Sequence, residues 1–239
     1  MRRTMPEAER WEEELVTERR MKDGFMSRHP ESPFVGGRVP FHELRYFAPD
    51  PRCRVRAKLE RRPVPEEAYL RTNRDNQAVM RYLGDLSFRL GGRAVRLRVY
   101  HAGEGVGTSA FVPFRDRTSG RESYGPGRYL TLELNESDEY ELDFNRAFNP
   151  YCAYTDDYEC GFPPAENDLP VAVRAGEKAW AAERNPRSPS AHAIERRRPS
   201  GAGTARPRAP AARPRRKATG APSRSRPRRA RTAPRPRRG

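Results

Sequence analysis

Apolar residues recur at every second position in several short stretches of the chain, and this period is the strongest constraint on its fold. The stretches RCRVRAKLE (52–60) and RAVRLRVY (93–100) alternate small or aliphatic residues with charged ones. Because successive side chains of a β-strand point to opposite faces of a sheet, these two stretches predict strands with one apolar and one polar face. Further alternating stretches are DLSFRL (85–90), RYLTLEL (128–134) and YELDF (140–144).

Short alternating strands joined by turns favour an antiparallel sheet. Gly91-Gly92 separates two of the predicted strands, and a two-residue glycine turn is typical of a β-hairpin. We therefore predict a mainly β fold, either an antiparallel β-sandwich or a partly open barrel. An N-terminal α-helix is predicted over residues 4–23, with Thr4 as its cap and Gly24 just beyond its end.

Charge is distributed unevenly along the chain. The formal net charge is +16, but residues 1–180 hold 29 Lys or Arg and 30 Asp or Glu, whereas residues 181–239 hold 19 and 2. Residues 185–239 contain no Phe, Tyr or Trp, so this segment cannot bury enough surface to offset its ordering entropy. We predict a single β-rich domain over residues 1–181 and a disordered, basic Arg/Pro/Ala-rich tail over residues 182–239.

The composition shows no feature of a membrane or secreted protein. No apolar run approaches the roughly 20 residues that span a bilayer, and the first residues become polar and acidic without forming a signal-peptide centre. Three cysteines, an odd number, do not suggest a disulfide framework. We expect a cytoplasmic protein that does not bind a membrane.

Polar and aromatic residues are mixed in the stretch ELDFNRAFNPYCAYTDDYECGFPPAEN (141–167). Buried polar groups are costly unless they are hydrogen-bonded, so these side chains either pin their own loop or converge on a pocket. The loop DRTSGRESYGPGRYL (116–130) adds arginines, which suit bidentate binding of an anion or of a carboxylate within the turn. The predicted ligand-binding residues are Asp116, Tyr124, Arg128, Asp143, Asn145, Asn149, Glu166, Asn167 and Glu177.

The cysteines and histidines form no recognisable metal motif. Cys152 and Cys160 have the spacing C-x7-C, which is longer than that of zinc ligands, and the four histidines are scattered. We expect no metal and no cofactor. The two cysteines are interpreted as buried thiols or as a facultative disulfide pair.

Four motifs follow one another in an order that resembles a known family. They are PFRDRTSGRESYGPGRYL, LDFNRAFNPYCAY, FPPAEN and AGEK. Over roughly residues 8–180 the chain resembles the bacterial and archaeal domain-of-unknown-function family 1684. Gly161 departs from the family pattern, which commonly has proline there. The resemblance implies one domain with a motif-rich loop region, and it carries over no catalytic residue.

Two functions are compatible with these patterns. The first is a β scaffold with a polar, loop-built pocket for a small ligand, with an anion as one option, used for either binding or catalysis. The second is non-specific binding of nucleic acid or another polyanion through the tail, residues 182–239, which lacks aromatics for base stacking. A purely structural module is a further alternative. The tail's restricted composition also fits a GC-rich gene read in a shifted frame.

Overall fold

The computed structural model describes residues 6–37, 39–102 and 108–180. The predicted cap at Thr4 and the predicted disordered tail over residues 182–239 lie outside the described residues. The boundary between domain and tail therefore stays a prediction. No helix within the described ranges is both long and apolar enough to cross a bilayer.

Helix α1 spans Glu7–Arg28 and packs an apolar stripe against the rest of the protein. The stripe consists of Trp11, Leu15 and Met26, whose spacing places them on one helical face. The sequence predicts an end before Gly24, but the helix continues through it. A glycine inside a helix costs only about 0.5–1 kcal/mol relative to alanine, and burial of Met26 beyond it offsets that cost.

Six antiparallel strands form one sheet that is nearly closed into a barrel. The strands are β1 (Arg54–Arg71), β2 (Gln77–Leu90), β3 (Arg93–Ala102), β4 (Ser109–Phe114), β5 (Arg128–Glu133) and β6 (Glu139–Asp143). Their order in the sheet is β5-β4-β3-β2-β1-β6. The predicted mainly antiparallel β fold with an N-terminal helix is confirmed, and of the two predicted architectures the protein adopts the barrel.

The hairpin between β2 and β3 turns at Gly91 and Gly92, as the sequence predicts. Both residues have positive φ, 57° and 78°, and they connect Leu90 to its cross-strand partner Arg93. Positive φ at both central residues is required in a type I′ turn, which matches the twist of the flanking strands. The turn thereby fixes the register of this hairpin.

Three strand segments are not predicted by the period-two pattern: the second half of β1, residues 77–84 of β2, and β4. In β1 and β4 prolines interrupt the pattern. Strand β1 continues well past its predicted end at Glu60, although it contains Pro63 and Pro65. Its pairing with β2 shifts register at these prolines, since a proline donates no ladder hydrogen bond. Strand β4 contains Pro113 in only six residues, and its alternation is too short to recognise.

The barrel encloses an apolar core to which all six strands contribute. Phe114 and Phe144 meet edge to face in this core, with ring centroids 5.2 Å apart. From Phe144 to residue 180 the chain forms short 3-10 turns and irregular loops. A smaller apolar cluster joins helix α1 to these loops and contains Met26, Phe34, Leu44 and Tyr154. The loops carry most of the predicted site residues.

Candidate functional site

The guanidinium of Arg128, at the start of β5, is enclosed by protein groups. Its Nη2 donates to Asp116 Oδ2 and to the carbonyl of Val173, both at 2.8 Å. Its Nη1 donates to the carbonyl of Glu177 at 3.0 Å and to that of Ala175. Burial lowers the pKa of this guanidinium, and the Asp116 carboxylate opposes the shift. Arg128 thus joins β5 to residues 173–177 by hydrogen bonds.

Asp116 organises the loop that precedes β5. Its Oδ1 accepts from the N–H of Thr118 at 2.7 Å and from the N–H of Val173 at 3.2 Å. Its other oxygen binds Arg128, and neither side chain of this pair is exposed. Arg128 and Asp116, two of the predicted ligand-binding residues, therefore face each other in the interior.

A second buried carboxylate, Glu177, lies between helix α1 and the loops. Its Oε1 accepts from Lys22 Nζ at 2.5 Å, and its Oε2 accepts from the N–H of Asn149 and the hydroxyl of Tyr154, both at 2.8 Å. The side chain of Glu177 is 1% exposed, whereas that of Lys22 is 28% exposed. This ion pair therefore runs from the interior to the protein surface.

Asp143 and Asn145 fix the start of the loop after β6. Asp143 accepts from the indole N–H of Trp11 at 2.8 Å and from Arg146 at 2.6 Å. The amide of Asn145 accepts from the N–H of Asp50 at 2.8 Å and donates to its carbonyl at 2.9 Å. These bonds hold the loop beside helix α1.

An open cleft, here called the α1 cleft, lies between one face of helix α1 and the loop after β6. Its volume is ≈ 170 Å³. On the helix it is lined by Leu15, Glu18, Arg19 and Lys22, whose spacing places them on one face. The opposite wall consists of Tyr46, Asn145, Arg146, Ala147, Phe148 and Glu177.

Two polar atoms of the α1 cleft lining are buried with no hydrogen-bond partner among the described residues. They are the hydroxyl of Tyr46 and Nε of Arg19. The Arg19 guanidinium lies 4.6 Å from the centroid of the Tyr46 ring, and its Nη1 donates to the carbonyl of Phe47 at 3.0 Å. Burial, together with the nearby Glu177 carboxylate, raises the pKa of Tyr46. The hydroxyl is therefore a neutral donor that has no acceptor within the described part of the chain.

A wider groove of ≈ 260 Å³ lies near the start of helix α1 and also borders Arg146. Its charged groups contact one another: Arg54 donates to Glu141 at 2.6 Å and lies 4.8 Å from the centroid of the Trp11 ring. Among the described residues that line this groove, none has a buried polar atom without a partner. We therefore place the candidate site at the α1 cleft.

Glu166 and Asn167 pack against the barrel wall at β3 and β4. Glu166 is exposed and pairs with Arg98 at 3.0 Å. The amide of Asn167 accepts from the N–H of Arg98 at 2.7 Å and donates to the carbonyl of Pro113 at 2.6 Å. Asn167 thus fastens the loop to two strands, and neither residue lines the α1 cleft.

Tyr124 contacts the cysteine region. Its hydroxyl donates to the carbonyl of Cys152 at 3.3 Å and lies 3.7 Å from Cys152 Sγ. Cys152 and Cys160 are both free thiols. Within the described residues, no three His, Cys, Asp or Glu side chains are grouped as metal ligands would be.

The structure divides the predicted ligand-binding residues into two groups. Asn145 and Glu177 line the α1 cleft, and Asp143 and Asn149 hold its wall in place. The other predicted residues do not line the cleft and are Asp116, Tyr124, Arg128, Glu166 and Asn167. Ligand binding by any of these residues stays a prediction.

Eight of the ten residues that line the cleft were not predicted as site residues, and among them are Arg19, Lys22 and Tyr46. The first two carry a usable signal, since they follow Leu15 at helical spacing and so share its face. Tyr46 lies in an irregular segment, and only its antiparallel bridge to Glu177 brings it to the cleft.

The fold and the site define an antiparallel, nearly closed β-barrel whose N-terminal helix borders a small polar cleft. The family model described as "Protein of unknown function (DUF1684)" matches residues 40–178. Because the match covers more than half of the chain, the chain belongs to this family, and the resemblance in its motifs is confirmed.

A solved structure is similar to this chain over nearly the whole length of the solved protein. It is the solution NMR structure of an uncharacterised protein from Haloarcula marismortui, which is 40% identical in sequence with a TM-score of 0.57. The similarity covers 72% of this chain and 95% of that chain. No curated protein matches the chain.

Proposed function

We propose that the α1 cleft binds a small polar ligand that carries an anionic group. The observation behind the proposal is the pair of buried donors, the Tyr46 hydroxyl and Arg19 Nε, without partners in the described chain. An unsatisfied buried polar group costs about 1–3 kcal/mol. Both atoms have almost no exposed surface, so a ligand reaches them only when the Arg19 or Tyr46 side chain turns toward the cleft. Acceptor oxygens supplied there would remove that cost.

The charges of the cleft favour an anion. Arg19, Lys22 and Arg146 line it together with the carboxylates of Glu18 and Glu177. Arg146 also pairs with Asp143, so Arg19 is the lining cation that pairs with no carboxylate among the described residues. Both carboxylates are engaged, because Arg146 donates to Glu18 at 2.9 Å and Lys22 donates to Glu177 at 2.5 Å. An ammonium has three N–H donors, so Lys22 retains donors for a ligand while it is paired with Glu177.

The size of the cleft limits the ligand. Its ≈ 170 Å³ is well below the roughly 300–1,000 Å³ of sites for drug-sized molecules. Since a water molecule takes about 30 Å³ in the liquid, the cleft itself holds roughly six groups of that size. Short carboxylates and inorganic phosphate fit inside it, whereas a nucleotide or a sugar phosphate would extend from its open side into solvent.

Calorimetric titration of the full chain with single anions tests the proposal. The probes are formate, acetate, malonate, succinate and inorganic phosphate, with glycerol as the uncharged control. We expect one of the anions to bind and Tyr46→Phe to weaken it about tenfold, which corresponds to the loss of one hydrogen bond. Glu166→Gln is the matched control outside the cleft and should leave the affinity unchanged.

The basic tail also attracts anions, so binding alone does not locate the site. Binding is assigned to the cleft only when Tyr46→Phe or Arg19→Met reduces it. If both variants bind like the unaltered chain, or if none of the probes binds, water alone occupies the cleft and the proposal fails.

The basic tail supports a second candidate function. We propose that residues 182–239 bind nucleic acid or other polyanions without sequence specificity, because residues 181–239 hold 19 Lys or Arg against 2 Asp or Glu. The test changes the eight arginines of residues 221–239 to glutamine and measures duplex DNA binding against salt concentration. The DNA affinity of the variant should fall less steeply with salt concentration, because fewer counterions are released on binding. An unchanged salt dependence would reject this function.

A further inference from the structure

Part of the lining of the α1 cleft is apolar. Among the residues that line it, Leu15 and Ala147 are buried, and Phe148 and Tyr46 are half-buried. Phe148 is fixed against β5, because it exchanges two backbone hydrogen bonds with Tyr129, at 2.8 and 3.0 Å. These side chains offer aliphatic and aromatic surface, and covering such surface with an alkyl group is favourable in water. Formate and inorganic phosphate carry no alkyl group.

The charged side chains of the lining carry one more positive charge than negative. They are the cations Arg19, Lys22 and Arg146 and the carboxylates of Glu18 and Glu177. Lys22 pairs with Glu177 at 2.5 Å, and Arg146 pairs with Glu18 at 2.9 Å. Arg19 forms no ion pair with a carboxylate within the described part of the chain. Three cations minus two carboxylates leave +1, so a single anionic group balances the charge of this lining.

The unpaired cation and the apolar surface are neighbours. Leu15 and Arg19 are four residues apart on helix α1, so their side chains share one face of the helix. The Arg19 guanidinium also lies 4.6 Å from the centroid of the Tyr46 ring, and its Nη1 donates to the carbonyl of Phe47 at 3.0 Å. A carboxylate bound at Arg19 therefore places its own alkyl chain beside aliphatic and aromatic groups.

The volume of the cleft sets the length of that chain. At about 30 Å³ for a group the size of a water molecule, the ≈ 170 Å³ of the cleft hold roughly six such groups. The carbon and two oxygens of a carboxylate leave room for about three further carbon atoms. A longer acid would extend its additional carbons through the open side of the cleft into solvent.

We propose that the α1 cleft binds short-chain monocarboxylates, with the carboxylate at Arg19 and the alkyl chain against Leu15 and Phe148. The inference rests on the anion binding proposed above, and it names the class of anion. Butyrate has the size that fills the cleft, whereas acetate leaves the apolar lining in contact with water. A dicarboxylate of the same length carries one charge more than the lining balances.

Calorimetric titration of the full chain with acetate, propionate, butyrate, pentanoate and hexanoate tests the effect of chain length. Affinity should rise about fourfold for each methylene from acetate to butyrate, and the two longer acids should gain little more. Butyramide, which has the same length without the charge, should bind about tenfold more weakly than butyrate. Each titration is repeated on Arg19→Met, and only the difference is assigned to the cleft, because the basic tail also attracts anions.

Succinate, which is butyrate with a second carboxylate, tests the charge balance. It should bind more weakly than butyrate, because its second carboxylate loses hydration without gaining an unpaired cation. Glu18→Gln removes one carboxylate from the lining and should raise the affinity for succinate relative to butyrate. Glu12→Gln is the matched control: it removes the same charge from an exposed position of helix α1 that does not line the cleft, and it should leave that ratio unchanged.

The outcomes separate this inference from the proposed function. If affinity does not rise from acetate to butyrate, if succinate binds as tightly as butyrate, or if Glu18→Gln leaves their ratio unchanged, the inference is wrong although the cleft still binds anions. If no acid shows binding that depends on Arg19, the anion site itself is rejected, and the inference is rejected with it.

Discussion

Two ion pairs of the protein, Arg128–Asp116 and Lys22–Glu177, have similar chemistry but different enclosure. Both side chains of the first pair are 0% exposed, whereas the second joins a buried carboxylate to an ammonium that is 28% exposed. Arg128 of the first pair also donates to backbone carbonyls. The Lys22–Glu177 pair instead borders the α1 cleft. A buried charge therefore lies within sealed loops in one region and lines an open cleft in the other.

The two regions differ in how far their polar groups are enclosed by protein, and not only in whether a polar atom lacks a hydrogen-bond partner. Arg128 Nε has no hydrogen-bond partner among the described residues either. The rings of Phe47 and Phe114, however, lie 5.8 and 5.3 Å from its guanidinium carbon, and aromatic faces attract a cation. The Arg19 guanidinium has such a ring as well, since it lies 4.6 Å from the centroid of Tyr46. The Tyr46 hydroxyl has no comparable substitute among the described residues, and it belongs to a residue that lines an open cleft.

The largest effect is expected from Arg128→Met. The change leaves Asp116 buried without its cation, and losing one partner of a buried pair costs about 3–5 kcal/mol. Urea unfolding of the full chain measures the loss. Arg174→Met is the matched control, because it removes an exposed pair with Glu122 and should leave the unfolding midpoint near that of the unaltered chain. Equal losses in both variants would contradict a structural role for the enclosed pair.

A smaller loss is expected from Tyr154→Phe. This hydroxyl donates to Glu177 Oε2 at 2.8 Å, and a hydrogen bond to a charged group contributes about 1.5–3 kcal/mol. The variant should unfold at lower urea concentration with an unchanged slope, as expected for a loss of native stability. A midpoint equal to that of the unaltered chain would show that Glu177 does not depend on this donor.

Tyr46→Phe removes the same chemical group, and it is the one of these variants that we expect to lose no stability. Its hydroxyl has no partner in the described chain, so the change breaks no hydrogen bond and removes an unsatisfied buried group, and the free energy of unfolding should rise by up to about 1–3 kcal/mol. Anion affinity should nevertheless fall. If Tyr46→Phe destabilises the protein as much as Tyr154→Phe does, the hydroxyl is already engaged and its role in recognition is lost.

Sequence patterns predict most of the barrel because they reflect local geometry. The alternation in residues 93–100 predicts β3, and the glycine pair at 91–92 predicts its turn. The same reasoning fails where a proline interrupts the period, as in strand β4 with Pro113. It also places the end of helix α1 too early, because the low helix propensity of Gly24 is overridden by the burial of Met26.

The polar residues of the loops were only partly assigned from the sequence. The mixture of Asn, Asp and aromatic residues in 141–167 predicts buried polar groups, and Asn145, Asn149 and Asn167 are all buried. Their partners could not be predicted, because the type of a residue does not indicate which distant backbone group its side chain will bond. Asn145 bonds Asp50 across 95 residues of sequence.

Local alternation specifies that this chain forms strands, because a strand's faces are set by every second residue. Long-range contacts alone decide which polar side chains are sealed and which line a cleft. Trp11 reaches Asp143 across 132 residues, and Lys22 reaches Glu177 across 155. Whether a charge is enclosed depends on neighbours supplied by distant segments, and these neighbours meet only when helix α1 packs against the loops after β6.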